Sequence, residues 1–584
     1  MRNAEERTFI THGGATLGYR AWLTAGQAAD KAIVLFHRGH EHSGRMQHVV
    51  DELNLPHVPM FAWDARGHGR SPGERGFSPS MGTSIKDVDC FMRHVSEQSG
   101  VAIENILVIA QSVGAVLVAA WVHDYAPRIR AMVLASPAFK VKLYVPFARA
   151  GLALMHKLRG NFFVNSYVKA KFLTHDPERI ASYDSDPLIS RAISVNILLG
   201  LYDTARRVVE DAQAITTPTL LLISGADFVV QHPPQHEFFE RLGAPLKEKI
   251  VLPGFYHDTL GERDRADLFA RVRAFILQRY AEPLTKLSLL DAHLKGHTKD
   301  EADLLSQTLP ALAPKALAFG FTKWFMRSIG QVSEGMRLGV KTGFDSGSTL
   351  DYVYRNEARG ITPFGRLVDR NYLNAIGWRG IRVRKVHAEQ LIALAATLLR
   401  EQGMPVHIAD IAAGHGRYVL EAVERLHAAP QSVVLRDYSD INVRDGTKLI
   451  AQKNMQSFAR FEQADAFDEA SVAAMQPQPT LGVVSGLYEL FPDNALIRTS
   501  LAGMARAIAP GGFLVYTNQP WHPQLEFIAR TLTSHRDGAA WVMRRRTQAE
   551  MDQLVQYAGF DKIDQLTDDW GIFTVSLARR RAAQ

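Results

Sequence analysis

The sequence predicts an α/β chain of two modules, and three observations carry that prediction. A serine stands between an apolar run, Ile106 to Ala110, and a helix-compatible stretch, Val113 to Tyr125, in the order Ala110-Gln111-Ser112-Val113-Gly114. An acid and a histidine then follow two later strand-like segments, as Asp227 and His257. Further on, a strand ending in Asp410 runs into a glycine turn at Gly414 and Gly416 and on into an apolar helix. At 584 residues the chain exceeds one typical domain, and 46% apolar residues is ordinary globular composition.

In chain order, Ile33 to Phe36 is the first strand that matters. It leads into His37-Arg38-Gly39-His40-Glu41-His42-Ser43-Gly44-Arg45, where the Gly39 N–H is a candidate oxyanion-hole donor; the other is the Val113 N–H, next after the serine. Four histidines crowd this stretch, His37, His40, His42 and His48, but their spacing matches no closed zinc ligand set, so no metal is expected. At Ser112 a tight strand-to-helix turn would project the hydroxyl clear of the sheet, with small Ala110 and Gly114 letting strand and helix approach. A buried small-residue turn is the plainer alternative. Thr219 to Ser224 is a continuous apolar strand pattern, followed directly by Asp227, and Lys249 to Leu252 is a short strand whose loop carries His257. In that order Ser112 would be the nucleophile, His257 its general base, and Asp227 the carboxylate that fixes the imidazole tautomer, giving an acyl-enzyme route.

Trp63-Asp64-Ala65-Arg66-Gly67-His68-Gly69-Arg70-Ser71, Gly73-Glu74-Arg75-Gly76, the elbow at Ser112, and His175-Asp176-Pro177-Glu178-Arg179 with Asp186-Pro187-Leu188 resemble α/β-hydrolases of the monoacylglycerol lipase and lysophospholipase kind. The resemblance covers about residues 8–282. It implies an α/β-hydrolase fold over 1–282 with a helical cap at about 138–215, acting on a lysolipid or monoacylglycerol-like ester. Arg38 stands where relatives usually have glycine, which bears on the shape and charge of the site entrance, and Ala110 replaces the first glycine of the elbow. An aminopeptidase-like hydrolase acting on short peptides is the alternative. Within the cap, Lys140 to Arg159 mixes bulky apolar residues with five Lys or Arg and no acid, which suits an acyl-chain cover or peripheral contact with an anionic membrane as well as an ordinary solvated helix.

The second module begins with Val406 to Asp410, the glycine turn, and a second acid, Asp437, at the end of the next strand. Gln463-Ala464-Asp465-Ala466-Phe467, then Leu481 to Pro492, then Ala509 to Tyr516 follow, and a helix from Gln548 to Tyr557 with a hairpin around Lys562 to Asp564 and Gly571 to Leu577 closes the chain. This succession resembles class I S-adenosylmethionine-dependent methyltransferases over about 390–580. The resemblance implies a Rossmann-like domain over 390–584 in which Asp410, Gly414 and Gly416 line the cofactor's methionine portion, Asp437 its ribose, and Asp465 with Ala466 its adenine. A dinucleotide enzyme would keep a fuller Gly-x-Gly-x-x-Gly, whereas Tyr418 and Val419 follow Arg417 here. Ala412 holds a position that is often glycine in that family. Because methyl transfer is an in-line displacement governed by positioning, it requires no protein nucleophile; Tyr488 and Glu489 are the residues expected nearest the reacting groups. A non-catalytic regulatory or scaffold module is the alternative.

Between the modules, 283–389 reads as a helical, arginine-rich bridge. From Arg355 to Lys385 it carries seven arginines and one lysine against Glu357 and Asp369, with Phe364, Tyr372 and Trp378 interleaved. Arg379, Arg382 and Arg384 suggest a docking surface for an anionic acceptor, a structural extension with solvated arginines being the alternative. The joined order resembles a bacterial fusion of α/β-hydrolase and class I methyltransferase. One cysteine, Cys90, excludes internal disulfides and multi-cysteine metal sites. No apolar run approaches about 18 residues, and Met1 to Arg7 lacks a signal-peptide core, so a cytoplasmic protein, soluble or peripheral to the inner membrane, is expected. The net charge of +7 comes without a basic tail, so nucleic acid is not an expected partner and an anionic substrate or surface suits it better. Oligomeric state is not fixed by the sequence.

Overall fold

A computed structural model describes residues 2–24, 29–166, 168–284, 287–536 and 538–582. Its contacts divide the chain into two compact units, Met1–Leu287 and Ser288–Gln584.

The first unit is built on β1 (Glu5–Ile10), β2 (Thr16–Trp22), β3 (Ala32–Phe36), β4 (Met60–Trp63), β5 (Ile106–Gln111) and β6 (Ala131–Ala135), a small ribbon of β7 (Phe163–Asn165) with β8 (Ala192–Ser194), then β9 (Thr219–Ser224) and β10 (Lys247–Leu252). The main sheet runs β1-β2-β4-β3-β5-β6-β9-β10, antiparallel at β1-β2 and β2-β4 and parallel beyond. Every residue of β3, β4, β5, β6 and β9 is buried, as expected for parallel strands covered on both faces. One face packs on the helices Met81–Ser99 and Val113–Tyr125 and the other on Gln47–Leu53 and Ala266–Ala281, giving two apolar cores. The cap contains β7, β8 and the helices Ala148–Arg159, Pro177–Ser185 and Val195–Glu210. Asp176 starts the second of these by accepting from the Glu178 and Arg179 N–H groups, with Pro177 at the first helical position. The third buries Leu201, Ala205 and Val208 in the core beside Val113–Tyr125.

The second unit holds β11 (His407–Asp410), β12 (Ser432–Asp437), β13 (Ala459–Gln463), β14 (Leu481–Val484), β15 (Phe513–Asn518), β16 (Phe560–Thr567) and β17 (Thr574–Arg580). Their order is β13-β12-β11-β14-β15-β17-β16, all parallel except β17, which is antiparallel to both neighbours. Strand order reverses between β11 and β14, so the crevice at their carboxyl ends is where an open α/β sheet takes a ligand. The chain is therefore an α/β-hydrolase fold with a cap followed by a Rossmann-like α/β unit.

Helices Pro314–Arg327, Glu334–Thr342, Gly347–Arg355, Pro363–Leu373 and Ile376–Glu401 pack within the second unit. The last buries Leu391, Ile392, Ala395 and Leu399 in the core of that sheet. Of the three arginines expected on one docking surface, Arg384 is withdrawn from it, whereas Arg379 is exposed and Arg382 half-buried. Arg379 lies over the Trp570 ring, Arg382 donates to the Leu373 carbonyl at 2.9 Å, and Arg384 is 4% exposed with its guanidinium in the interior.

Candidate functional site

Ser112 follows β5 in a conformation that few non-glycine residues adopt, φ 55° and ψ −115°, and the helix Val113–Tyr125 starts at the next residue. What permits so sharp a turn is the absence of a side chain at Gly114, where a Cβ would stand 2.4 Å from the His37 carbonyl oxygen. The serine Oγ lies 2.7 Å from His257 Nε2, and His257 Nδ1 lies 2.7 Å from Asp227 Oδ2. All three residues are buried. Asp227 is fixed in turn, because its Oδ1 accepts from the N–H groups of Val229 at 2.7 Å and Val230 at 2.9 Å. Burial alone would raise its pKa, but His257 and these two N–H donors outweigh it and hold the carboxyl below its usual range. The ionised acid therefore accepts from Nδ1–H, which leaves the Nε2 lone pair to accept from the Ser112 hydroxyl.

Gly39 and Val113 come together beside the serine, since a Cβ on Gly39 would stand 3.3 Å from Val113 Cγ2. Asp64 secures that loop, its Oδ1 accepting from the Ser43 N–H at 2.6 Å and its Oδ2 from the Arg70 N–H at 2.8 Å. An apolar recess of about 50 Å³ adjoins Gly39 and Val113, walled by Phe77, Met81, Leu117 and Ile197. Arg38 does not bring an uncompensated charge to the entrance: its guanidinium donates to Glu41 at 2.8 Å, lies 3.9 Å from Asp258 and stacks over Tyr183. Asp258 also takes Arg179 at 2.8 Å and the Gln111 amide at 3.1 Å, and although burial opposes ionisation, Arg179 and Arg38 hold its pKa far below the ordinary value. Sequence reasoning missed this ion cluster under the catalytic candidates; the acid next to His257 was its one local sign.

Three of the four histidines between 37 and 48 turn to separate partners. His42 Nε2 meets Asp186 Oδ2 at 2.9 Å, His48 Nε2 meets the Leu260 carbonyl at 2.9 Å, and His37 Nε2 accepts from the Ala65 N–H at 3.1 Å. Burial pushes His40 down to about 4. Among the described residues no group of three or more His, Cys, Asp or Glu could hold a metal ion.

In the second unit, Gly414 and Gly416 both adopt positive φ, 57° and 74°. They serve different ends. A Cβ on Gly416 would strike Leu435 at 2.4 Å, so that glycine is needed for packing, whereas above Gly414 the nearest atom is Gly347 Cα at 3.6 Å. Asp437, at the end of β12, accepts from the Gly414 N–H, the Ser439 N–H and the Asn442 amide, each at 2.9 Å, which uses three of a carboxylate's roughly four acceptor positions. Asp465 is exposed and accepts from the Phe467 N–H at 2.9 Å, while Ala466 is buried beside it. Asp410 is wholly buried. Its carboxylate accepts from the Ala412 N–H at 3.1 Å and from the Tyr418 hydroxyl, so it shapes the turn from beneath, and burial raises its pKa to about 7. Tyr488 lies in the core with its hydroxyl 3.0 Å from Ser500 Oγ, whereas Glu489 lines a cavity.

Residues 272–580 match the family model described as "Putative methyltransferase", and residues 27–264 match "Serine aminopeptidase, S33". The Escherichia coli protein named "Uncharacterized protein YnbC" is 57% identical over 99% of this chain and 98% of its own length. The "Monoacylglycerol lipase" of Mycolicibacterium smegmatis is 26% identical over 47% of this chain and 96% of its own. Among solved structures, the monoacylglycerol lipase of Paleococcus ferrophilus aligns at a TM-score of 0.40 and 22% identity, covering 47% of this chain and 99% of that one.

Proposed function

The chain belongs to the family described as "Putative methyltransferase", with a monoacylglycerol-lipase-like α/β-hydrolase domain ahead of it, and from that premise we propose a bifunctional enzyme: a serine ester hydrolase joined to an S-adenosylmethionine-dependent methyltransferase. The observation that carries the hydrolase reading is the unbroken line from Asp227 through His257 to Ser112, with 2.7 Å at each link. As Ser112 Oγ bonds to the ester carbonyl carbon, its proton passes to His257 Nε2, Asp227 stabilises the imidazolium, and the N–H groups of Gly39 and Val113 receive the oxyanion. The imidazolium then protonates the departing alcohol. Water, deprotonated by the same nitrogen, releases the acid.

Relatives named monoacylglycerol lipase and the apolar recess beside the serine support a monoacylglycerol or lysolipid ester as substrate. A panel of monoacylglycerols, lysophospholipids and aminoacyl anilides tests this. Turnover of the esters is expected, and turnover of the anilides alone would replace the reading with a peptidase. Support for peripheral membrane contact comes from the cap, where Phe147 is 89% and Leu158 75% exposed among Arg149, Lys157 and Arg159. Among the described residues no helix is long and apolar enough to cross a membrane. Salt-sensitive co-sedimentation with anionic vesicles is expected, and equal recovery in the supernatant with and without vesicles would reject this contact.

The residues of the second unit fit an adenosyl cofactor. Gly414 keeps the turn low, a Cβ there making only ordinary contact with Gly347 Cα at 3.6 Å, Asp437 keeps one acceptor position for a ribose hydroxyl, and the resemblance assigns Asp465 with Ala466 to the adenine. S-adenosylmethionine, when bound, supplies an electrophilic methyl group, and the protein's part is to place an acceptor in line with it. Calorimetric titration of the whole chain with S-adenosylmethionine tests the assignment. Heat and a thermal shift are expected, and neither would leave the unit a scaffold for the hydrolase.

A further inference from the structure

A cavity of about 340 Å³ lies inside the second unit, at the carboxyl ends of β14 and β15. Gly486 and Glu489 line it after β14 and Gln519 and His522 after β15, with one wall formed by helices from the 314–384 segment. Most of the surface is apolar, with Met326, Leu350, Trp378, Phe527 and Trp541 prominent. This volume falls in the range of small-molecule sites.

At one end the wall changes character. Arg384 and Glu489 are 4% and 8% exposed, and both line the cavity. They do not close on each other, Arg384 Nη1 lying 3.7 Å from Glu489 Oε1. Thr517 Oγ1 holds that Oε1 at 2.7 Å, while Glu489 Oε2 and Arg384 Nε are both buried without a hydrogen-bond partner. An acceptor and a donor left unsatisfied at the wall of an apolar cavity are costly unless a ligand reaches and answers both. One hydroxyl does so, because it donates once and accepts twice. The two opposite charges also make a net anion or cation a poor match for this end of the cavity.

The cavity adjoins the glycine turn through a single helix. In Gly347–Arg355, Gly347 Cα packs 3.6 Å from where a Cβ on Gly414 would stand and Ser348 Oγ lies 3.4 Å from His415 Nε2, while Leu350 lines the cavity. We infer that this cavity is the methyl-acceptor site and that it takes a molecule with an apolar body ending in one hydroxyl, whose hydrogen goes to Glu489 Oε2 and whose oxygen accepts from Arg384 Nε. The acceptor role rests on the methyltransferase reading above; the ligand class rests on the cavity alone. In the transfer the hydroxyl oxygen gains the methyl carbon, the carbon–sulfur bond of the donor sulfonium breaks with its electron pair left on sulfur, and the hydroxyl proton passes to Glu489.

Calorimetric titration of the full chain with 4-butylphenol and with butylbenzene tests the inference, with S-adenosylmethionine titrated in parallel. The phenol is expected to bind at least about tenfold more tightly than the hydrocarbon, the difference one well-placed hydrogen-bonded pair supplies. Glu489→Gln should shrink that ratio, and Leu350→Trp, which fills the cavity, should abolish binding of both compounds while leaving fluorophosphonate labelling of Ser112 intact. Equal binding of phenol and hydrocarbon would overturn the ligand class. Heat with S-adenosylmethionine but with neither compound would overturn the cavity assignment alone, and phenol binding without any response to S-adenosylmethionine would overturn the acceptor role.

Discussion

Replacing Asp227 by asparagine changes one atom of the carboxylate and leaves the side chain's shape, so its effect can be worked out from the contacts. Oδ1 already accepts from the Val229 and Val230 N–H groups at 2.7 and 2.9 Å, and the asparagine oxygen will keep that place. The amide nitrogen then falls where Oδ2 now meets His257 Nδ1 at 2.7 Å. Two donors cannot share that contact, so the imidazole must present a lone pair at Nδ1 and carry its hydrogen on Nε2, facing Ser112. The serine loses its proton acceptor. An inverted tautomer of this kind costs about 10⁴ in kcat, or about 5.5 kcal/mol at 1.36 kcal/mol per tenfold. Initial rates on p-nitrophenyl butyrate give the ratio, and the rate of fluorophosphonate labelling should fall with it. A loss of less than about tenfold in a protein that melts like the wild type would refute the assigned role of Asp227.

Four further substitutions read other parts of the structure. Gly114→Ala places a Cβ 2.4 Å from the His37 carbonyl and should lower stability by about 1–3 kcal/mol and esterase activity with it, whereas Gly151→Ala, in a cap helix with nothing within 4 Å, should gain about 0.5–1 kcal/mol; urea denaturation separates the two. Arg207→Met removes the cation that binds Asp124, both residues being buried, and by leaving that carboxylate and Asp211 to share His123 should cost about 3–5 kcal/mol in the first unit, read as a drop in its melting temperature. Asp410 is an acid whose pKa burial raises to about 7, so between about pH 4 and pH 7 the folded state holds a proton that the unfolded state has lost, and stability falls as pH rises through that window. Asp410→Asn should flatten that fall, worth at most about 4 kcal/mol, in hydrogen exchange of the β11–β12 segment followed against pH; an unchanged slope would show that Asp410 does not cause it.

What could be read from the sequence was what short-range pattern carries. Ser112, Asp227 and His257 each follow an apolar strand-like run, and the parallel sheet brings the ends of those strands to one edge. The glycine turn after β11 and the acid ending β12 were visible for the same reason. Arg384 shows where that kind of reading stops. Counted with Arg379 and Arg382 it looks like part of a basic patch, but at about 100° per residue it lies about 140° from Arg379, on the face of Ile381, Ala388 and Leu391. Helical spacing held that information and the density of charge concealed it. The cavity that Arg384 lines was not legible at all, because its walls come from segments as far apart as Thr322 and Phe573. The same holds for Asp258 with Arg38 and Arg179, a buried cluster assembled from three separate loops and helices.

The most direct test of the account is to treat the intact chain with a fluorophosphonate and locate the adduct by mass spectrometry, wild type beside Ser112→Ala. One phosphonate on the peptide containing Ser112, absent from the alanine variant, is the predicted result. A wild-type protein that stays unlabelled while folded, or one modified equally after the serine is removed, would contradict the claim that Ser112 is the nucleophile.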